Sequence, residues 1–414
     1  MAELFEIKEE AERVVLVGVQ TSQNDDTEES LKELEELART AHAQTLGTII
    51  QSRESVHPGT YIGKGKIEEV AQMVEQLSAT GIICDDELSP AQMKNLETAL
   101  GCKVMDRTML ILDIFAQHAV TREGKIQVEL AQLKYRQTRL IGMHDALSRL
   151  GAGIGTRGPG EKKLEMDRRL IKDRIGQLNK ELADVKKNRE VARSLRSKSP
   201  VPVAAIVGYT NAGKSTLLNY LTDAGVLSEN MLFATLDPTT RNVKLESGEE
   251  LLLTDTVGFI RKLPHHLIDA FRSTLEEAKY SDIILHVVDA SSDEAEAQMY
   301  VVYETLRQLG IKDKTIITVF NKQDLVSSER VIKDLKSDMS VKISAKTGEG
   351  IPELLSVIGE VLRGNRQLVE KLFSYEDAGK LALIRKYGQL FKEEYREDGI
   401  FVQAYVPGEI FHTL

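Results

Sequence analysis

Apolar and polar residues alternate in blocks along the first 120 residues. The apolar runs at 14–19, 45–51 and 81–84 have the length of buried strands, while residues 31–41 and 66–77 carry apolar side chains at helical spacing. Because strands that alternate with helices form layered α/β structures, this pattern predicts a small α/β domain.

Heptad spacing replaces this pattern between residues 125 and 197. The later apolar residues are separated by steps of seven, four, three, four and three, which predicts two helices, 125–150 and 162–197, paired as an antiparallel hairpin. The predicted seam comprises Ile126, Leu130, Leu133, Leu140 and Leu147 on one helix, and Leu164, Ile171, Ile175, Leu178, Leu182 and Val185 on the other. Gln137 and His144 fall on the same seam, and a buried, hydrogen-bonded imidazole is expected for His144.

Residues 151–160, between these helices, include five glycines. Such a segment has low helical propensity and cannot build a core, so it predicts an exposed, mobile tip, roughly 40 to 50 Å from the base of the hairpin. Arg157, Lys162 and Lys163 add cationic side chains beside the glycines. We expect the backbone of residues 151–163 to make close contact with a ligand. The alternative is that this segment is a plain flexible connector.

The second half of the chain predicts further α/β structure after a linker at 197–200. Apolar strands are predicted at 203–207, 251–254, 315–320 and 341–343. A helix near 376–387 and two alternating strands at 389–395 and 399–406 predict a small C-terminal piece without a chemical motif. The predicted domains are therefore 1–120, 121–198, 199–364 and 365–414.

The first of these strands is followed by residues 208–215, which fit the pattern G-x-x-x-x-G-K-[ST]. In this pattern, backbone N–H groups converge on a β-phosphate at a helix N-terminus, a lysine adds a cation, and the Ser215 hydroxyl is a candidate Mg²⁺ ligand. The predicted phosphate-binding residues are Gly208, Tyr209, Thr210, Asn211, Ala212, Gly213, Lys214, Ser215 and Thr216.

The strand at 251–254 leads into a second candidate segment, Asp255-Thr256-Val257-Gly258. We expect its carboxylate to hold Mg²⁺ through water and the Gly258 N–H to sense a γ-phosphate. A strand-end aspartate without any ligand shows the same local pattern, so this segment is informative only together with the others.

Two later segments indicate which base is bound. They comprise Asn321, Lys322 and Asp324 after the strand at 315–320, and Ser344, Ala345 and Lys346 after the strand at 341–343. The Asp324 carboxylate can accept hydrogen bonds from guanine N1–H and the exocyclic amine, whereas adenine offers neither donor. A backbone N–H of the second segment would close the base pocket. The four segments, in this order, predict a GTP site.

The charge distribution adds a candidate partner. The chain has a net charge of −10, yet residues 121–200 carry 20 Lys and Arg against 10 Asp and Glu, so this region is +10 and the remainder is −20. A basic arm on an acidic body indicates a polyanion such as RNA. A solvated helix rich in Lys and Arg has the same composition and stays open as the alternative.

Other features bound the cellular context. Cys84 and Cys102 are too few for a disulfide framework, and their apolar neighbours predict buried thiols. No apolar stretch has the length of a membrane span, and the acidic residues after Met1 do not fit a signal peptide. We therefore expect a cytoplasmic protein, and nothing in the sequence demands more than a monomer.

Residues 61–66 form another glycine-containing segment that resembles a phosphate loop. It lacks both the GxGxxG spacing and a G-K-[ST] ending. We interpret it as a tight loop with a basic rim, with a second nucleotide site as the alternative.

The four nucleotide-binding segments, the glycine-rich region 149–161 before them and the segment 233–239 together resemble HflX, a family of ribosome-associated GTPases. The resemblance covers nearly the whole chain and is weakest over the C-terminal residues. It implies binding to the 50S subunit and splitting or rescue of stalled 70S ribosomes. It also implies rRNA contacts through residues 151–163, near the peptidyl-transferase region.

The same resemblance implies roles for individual residues. Lys214, Thr235 and Gly258 would be catalytic, with Thr235 also binding Mg²⁺. Thr239 and Thr240 are alternatives for the Mg²⁺-binding threonine, and spacing does not separate the three.

Two positions depart from, or add to, the Ras-like pattern. Phe259 stands where Ras-like enzymes place a glutamine that orients the attacking water, which implies slow intrinsic hydrolysis. Asn211 is similar to the asparagine with which some bacterial GTPases coordinate K⁺ over the phosphates. The expected cofactors are therefore GTP or GDP and Mg²⁺, with K⁺ as a further candidate.

Two other functions fit parts of the pattern. A helicase-like enzyme that remodels rRNA and accepts ATP would need a second site in the N-terminal domain, and ATP hydrolysis retained after replacement of Lys214 would indicate one. A signalling GTPase that docks on proteins or membranes is the other alternative. The basic region discriminates here, because binding to RNA weakens steeply with salt.

Overall fold

The structure, a computed structural model, describes most of the chain. It covers residues 11–21, 26–150, 159–196, 201–222, 232–233, 238–245, 248–262, 275, 277–311, 314–326, 332–364 and 366–414. Within these ranges, the description excludes the side chains of residues 141–150, 159–164, 188, 190–196, 366, 407 and 409. The chain divides into two compact units, residues 1–182 with 261–270, and residues 183–260 with 271–414.

The first unit contains a four-stranded parallel sheet. Its strands are β1 (Arg13–Gln20), β2 (Gln44–Ser52), β3 (Gly81–Cys84) and β4 (Lys103–Asp106), in the order β2-β1-β3-β4. Its helices are α1 (Thr27–Thr40), α2 (Lys64–Gln76), α3 (Pro90–Leu100) and α4 (Arg107–His118). The predicted α/β fold and its elements up to residue 84 are confirmed. The prediction missed α3, β4 and α4. Ser89 and Gln92 form a capping box at the start of α3.

An ion-pair cluster lies at the carboxyl edge of this sheet. Arg107 is 1% exposed and contacts Asp85 at 3.0 Å and Glu33 at 2.6 Å. Burial by itself would raise the pKa of Asp85, but the Arg107 guanidinium holds that pKa below its ordinary value. The edge at which open α/β sheets bind ligands is thus lined here by side chains that already pair with one another.

Residues 61–63 make a tight turn, whereas residues 64–66, predicted as part of the loop, form the first turn of α2. Tyr61 has a left-handed φ of 64° and exchanges backbone hydrogen bonds with His57. At the start of α2, the Gly63 N–H donates to Gln51 Oε1 at 2.8 Å. The geometry is that of the tight loop, and one N–H of the helix N-terminus is already bonded within the protein.

The two cysteines are free thiols. Cys84 is fully buried, as predicted, and burial raises the pKa of its thiol well above the ordinary value. Cys102 is only half-buried.

Two long helices follow, α5 (Arg122–Leu150) and α6 (Pro159–Arg196). Their antiparallel pairing is confirmed near the base of the hairpin, where Glu129 on α5 contacts Arg174 on α6 at 2.8 Å. The apolar contact joins Ile126, Leu130 and Leu133 to Ile175, Leu178 and Leu182. Gln137 is half-buried on the predicted seam. Residues 151–158 and the side chains of His144, Leu147, Leu164, Lys162 and Lys163 lie outside the described part of the chain.

The first half of α5 has a second buried face that the heptad pattern did not reveal. Val128, Ala131 and Tyr135 are buried, and the Tyr135 hydroxyl donates to Asp106 Oδ1 at 2.7 Å. Burial raises the pKa of Tyr135, and the Asp106 carboxylate raises it further. The base of the hairpin is therefore part of the core of the first unit and not a free arm.

The second unit contains a six-stranded sheet in the order β10-β9-β8-β5-β7-β6. Its strands are β5 (Val203–Gly208), β6 (Thr239–Lys244), β7 (Glu250–Asp255), β8 (Ile283–Asp289), β9 (Thr315–Asn321) and β10 (Met339–Lys342). All pairings are parallel except that of β6 with β7. Its helices are α7 (Lys214–Thr222), α8 (Ala295–Gln308) and α9 (Ile351–Gly364). The four predicted strands are confirmed, whereas β6 and β8 were not predicted.

A small antiparallel sheet ends the chain. Its strands are β11 (Arg366–Phe373), β12 (Gln389–Arg396) and β13 (Gly399–Pro407), in the order β11-β13-β12, and its helices are α10 (Ala378–Tyr387) and α11 (Gly408–Phe411). The helix and two strands predicted here are confirmed, and β11 is an additional strand. None of the helices in the described ranges is both long and apolar enough to cross a bilayer.

Candidate nucleotide-binding site

The carboxyl ends of four strands meet at one edge of the six-stranded sheet. Because β5, β7, β8 and β9 run parallel, their last residues, Gly208, Asp255, Asp289 and Asn321, lie at the same edge. Ser344 follows β10 at this edge as well. The fold therefore brings together the four segments that the sequence keeps far apart.

The loop from β5 to α7 can be made only with glycine at two places. A Cβ on Gly208 would lie 2.3 Å from the carbonyl oxygen of Val287. Gly213 has a φ of +93°, and a Cβ there would lie 2.2 Å from Asn321 Nδ2. Asn211 also has a positive φ, 60°. Backbone turns of this kind direct successive N–H groups to one side, which is the cradle a phosphate requires.

Lys214 lies at the start of α7 beneath this loop. It is 6% exposed, and its Nζ donates to the Tyr209 carbonyl at 2.7 Å. Burial lowers the pKa of Lys214 to about 8, the Asp255 carboxylate opposes that shift, and the Lys322 ammonium adds to it. A bound phosphate would raise this pKa again, because an adjacent anion favours the charged form.

A hydroxyl and a carboxylate adjoin each other next to Lys214. The Ser215 hydroxyl donates to Asp255 Oδ2 at 2.9 Å, and Asp255 is fully buried. Oxygen donors of this kind are the ligands that Mg²⁺ takes, so these residues fit the ion. Of the threonines predicted as a further Mg²⁺ ligand, Thr235 lies outside the described residues. Thr240 lies in β6, and its hydroxyl oxygen is 2.9 Å from the hydroxyl oxygen of Thr254.

The segment after β7 is anchored by its middle residues. The Thr256 hydroxyl donates to the Ile206 carbonyl at 2.7 Å, and both Thr256 and Val257 are buried. These two side chains hold the segment against β5, which leaves the backbone of Gly258 as the part that faces Lys214.

Phe259 is joined to the phosphate loop by a short parallel bridge. Thr210 N–H donates to the Phe259 carbonyl at 2.8 Å, and Phe259 N–H donates to the Gly208 carbonyl at 3.1 Å. Phe259 is 2% exposed, so its ring packs inside the protein. A Cβ on Gly258 would lie 3.0 Å from Lys214 Nζ. The sequence identified the unusual residue at 259, but only the fold shows this bridge.

Asn321 joins the phosphate loop to the base-binding loop. Its Nδ2 donates to the Ala212 carbonyl at 2.9 Å, and its Oδ1 accepts from Ala345 N–H at 2.9 Å. The Asn321 side chain therefore fixes the backbone of the base-binding loop at Ala345.

Asp324 lies on a short 3₁₀ turn and is exposed. Its Oδ1 accepts from the Ser344 hydroxyl at 2.7 Å, which orients the carboxylate from the buried side. The other carboxylate oxygen and its remaining lone pairs are the part that can receive a base edge.

Asp289 is a site residue that the sequence analysis missed. It contacts Lys322 Nζ at 2.7 Å. The signal was present, because Asp289 ends an apolar strand just as Asp255 does.

Comparison with known families covers most of the chain with three matches. Residues 28–116 match the GTP-binding GTPase N-terminal family, residues 118–196 the GTP-binding GTPase middle region, and residues 203–322 the 50S ribosome-binding GTPase family.

Individual relatives match over most or all of the chain. The chain is 67% identical to a GTPase HflX of Lacrimispora saccharolytica, over 100% of this chain and 98% of that protein. It is 49% identical to a GTPase HflX of Caldanaerobacter subterraneus over 99% and 94%, and 44% identical to that of Escherichia coli over 87% and 85%. A GTP-binding protein of Sulfolobus solfataricus solved with GDP is 26% identical over 85% of this chain and 99% of that chain, with a TM-score of 0.46.

The predicted phosphate-binding and base-binding segments thus lie at one sheet edge of a chain that aligns over 100% and 99% of its length with two HflX proteins. The chain belongs to the HflX family of GTPases, and it binds and hydrolyses GTP.

Proposed function

We propose that this GTPase binds the 50S subunit and splits or rescues 70S ribosomes. The observation that carries the proposal is a helical hairpin, within a region of net charge +10, directly before a GTPase core that matches a family described as 50S ribosome-binding. A basic surface favours the phosphate backbone of rRNA. We also propose that the protein is monomeric and cytoplasmic, with four domains at residues 1–120, 121–198, 199–364 and 365–414.

Energy for splitting comes from differential affinity. A ligand shifts an equilibrium only by the difference between its affinities for the two states, so the GTP form must bind the separated subunit more tightly than the joined ribosome. The γ-phosphate would order the switch segments around Thr235 and Gly258, and hydrolysis would reset the protein.

The site residues have distinct roles in this proposal. Lys214 neutralises phosphate oxygens, Gly258 N–H meets the γ-phosphate, and Ser215 with Asp255 would hold Mg²⁺. When bound, this ion supplies positive charge against the phosphate oxygens. Because the Phe259 ring is buried, it cannot orient the attacking water, and we propose that ribosome binding completes the site.

Substitution of Arg157, Lys162 and Lys163 by alanine tests the ribosome proposal. Purified 50S subunits should co-sediment with the wild-type protein in GTP or a non-hydrolysable analogue, and less in GDP. The triple variant should bind GTP normally. The negative slope of log affinity for 50S against log salt should become shallower by roughly three, because three phosphate contacts are lost.

Alanine at Lys94, Lys244 and Lys342 is the matched control, because these lysines are exposed and the change in net charge is the same. An equal loss of 50S binding in both variants would show that net charge alone explains the effect, which contradicts a specific contact through residues 151–163. Failure to recover 50S in any nucleotide state contradicts the proposal.

We also propose that Asn211 coordinates K⁺ over the phosphates, where other GTPases place an arginine. Its left-handed φ of 60° sets this side chain apart from a regular helix start. GTP hydrolysis should be at least about tenfold faster in KCl than in NaCl at equal ionic strength, because a fixed cation stabilises developing charge.

Asn211→Gly is the informative variant for this test, because glycine tolerates positive φ and removes only the amide. Its hydrolysis rate should be the same in both salts, with GDP affinity retained. Equal rates in KCl and NaCl for the wild-type protein would rule out the K⁺ site.

A further inference from the structure

Asp289 connects the base-binding segment to the centre of the sheet. It is the last residue of β8 and lies opposite Asn321 in the register of β8 with β9. The next residue after Asn321 is Lys322, whose Nζ lies 2.7 Å from Asp289 Oδ2. The Lys322 and Asp289 side chains are 24% and 16% exposed. The pair is therefore half-buried and has a fixed geometry, unlike a surface ion pair in water.

The Asp289 carboxylate is held on both oxygens. Oδ1 accepts from the Ser291 N–H at 3.0 Å and from the Ser291 hydroxyl at 2.6 Å, while Oδ2 contacts the lysine. A carboxylate fixed in this way cannot follow a moving lysine. It determines where the ammonium group of Lys322 rests.

Lys322 has an unusual backbone conformation. Its φ is 61°, in the left-handed region that residues with a side chain rarely adopt, and such a conformation persists only where surrounding contacts enforce it. Asn321 before it is bonded to two loops, and Asp324 two residues after it is bonded to Ser344. The ion pair with Asp289 is the contact that directs the side chain itself.

We infer that Asp289 is a positioning residue for guanine binding, which fixes the ammonium group of Lys322 so that the methylene stem of this lysine forms one wall of the base pocket. Long cationic side chains commonly cover apolar surface with their stems while the charged end binds elsewhere. In this arrangement Asp324 accepts hydrogen bonds from the edge of the base, and the Lys322 stem packs against the plane of the base. The Asp289 carboxylate contacts Lys322 and Ser291, so its effect on guanine binding would be transmitted through the lysine.

Asp289→Asn separates the two contacts of this carboxylate. The amide can still accept the Ser291 hydrogen bonds through its oxygen, but it carries no charge for Lys322. The KM for GTP and the dissociation rate of GDP should each rise roughly five- to twentyfold, because a charge-assisted contact is lost, while kcat on bound GTP stays unchanged.

Ser291→Ala is the matched control, because it removes the hydroxyl contact within the turn and leaves the ion pair with Lys322. GDP dissociation should stay within about twofold of the wild-type rate, since the positioning contact remains. If Ser291→Ala and Asp289→Asn have the same effect, Asp289 merely stabilises its own turn and the inference is wrong.

Lys322→Met tests the same contact from the other side and does not depend on Asp289→Asn folding. It keeps an apolar stem without the ammonium group, and GDP dissociation should accelerate by about as much as in Asp289→Asn. In the double variant the two effects should not add, because both remove one interaction. Additive effects, or a fall in kcat with an unchanged KM, would overturn the inference.

Discussion

Asp324→Asn should transfer base selectivity from guanine to xanthine. The structure shows that the Ser344 hydroxyl donates to Asp324 Oδ1 at 2.7 Å. The oxygen of the new amide can still accept this hydrogen bond, which turns its NH₂ group toward the base. Guanine presents donors at N1 and at the exocyclic amine, so donor would then face donor, whereas xanthine presents a carbonyl oxygen at the second position.

The expected loss is large because two facing donors leave the contact that recognises the base without an acceptor. A site built around hydrogen bonds rejects a ligand that lacks them by roughly 10⁴-fold, so kcat/KM for GTP should fall by about that order and kcat/KM for XTP should rise to exceed it. Parallel assays with GTP, XTP and ATP measure the change.

Asp338→Asn is a suitable control for loss of a carboxylate in the same sheet. Asp338 accepts from the Ile316 N–H at 2.8 Å, near the start of β9 and therefore at the edge opposite the base. Its ratio of GTP to XTP activity should match the wild-type ratio. An unchanged ratio in Asp324→Asn would show that this residue does not read the base.

Gly258→Ala should abolish most GTP hydrolysis while GDP binding survives. A Cβ at this position would lie 2.8 Å from Thr210 Cγ2, 2.9 Å from Thr210 Cα and 3.0 Å from Lys214 Nζ. Thr210 cannot retreat easily, because its N–H is bonded to the Phe259 carbonyl. The added methyl group must therefore push residue 258 away from Thr210 and Lys214.

The same methyl group would keep the N–H of residue 258 from approaching the γ-phosphate. Loss of one backbone donor to developing charge lowers kcat by roughly 10²- to 10³-fold, and we expect a loss of this size. GDP affinity should change by only about threefold, because GDP lacks the γ-phosphate that this N–H contacts. Single-turnover hydrolysis and GDP titration measure the two quantities.

Gly176→Ala is the matched control for adding a methyl group to glycine. Gly176 lies in α6, and a Cβ there meets nothing within 4 Å, so activity should be unchanged and stability slightly higher. Wild-type kcat in Gly258→Ala would contradict the assigned role of the Gly258 N–H.

The hairpin shows which buried contacts the hydrophobic periodicity predicts and which it does not. The heptad spacing correctly predicted that Ile126 and Leu130 pack against Leu178, because a seam repeats locally along each helix. It could not predict that Tyr135 is also buried and bonded to Asp106, since that contact depends on where the sheet of the first unit lies. A helix that packs on two sides loses the one-sided pattern from which burial is predicted.

The sequence by itself determined the nucleotide and the strands that carry its motifs. A phosphate loop, a strand-end carboxylate and a guanine-binding aspartate are each recognisable within a few residues, because their chemistry depends on local backbone turns and on side chains of fixed type. The tertiary structure alone decided which other residues complete the site. The Asp289 contact with Lys322, the Asn321 link between two loops and the bridge from Phe259 to the phosphate loop each join residues far apart in the chain. Such pairings follow from the order of parallel strands in the sheet, and no local spacing encodes that order.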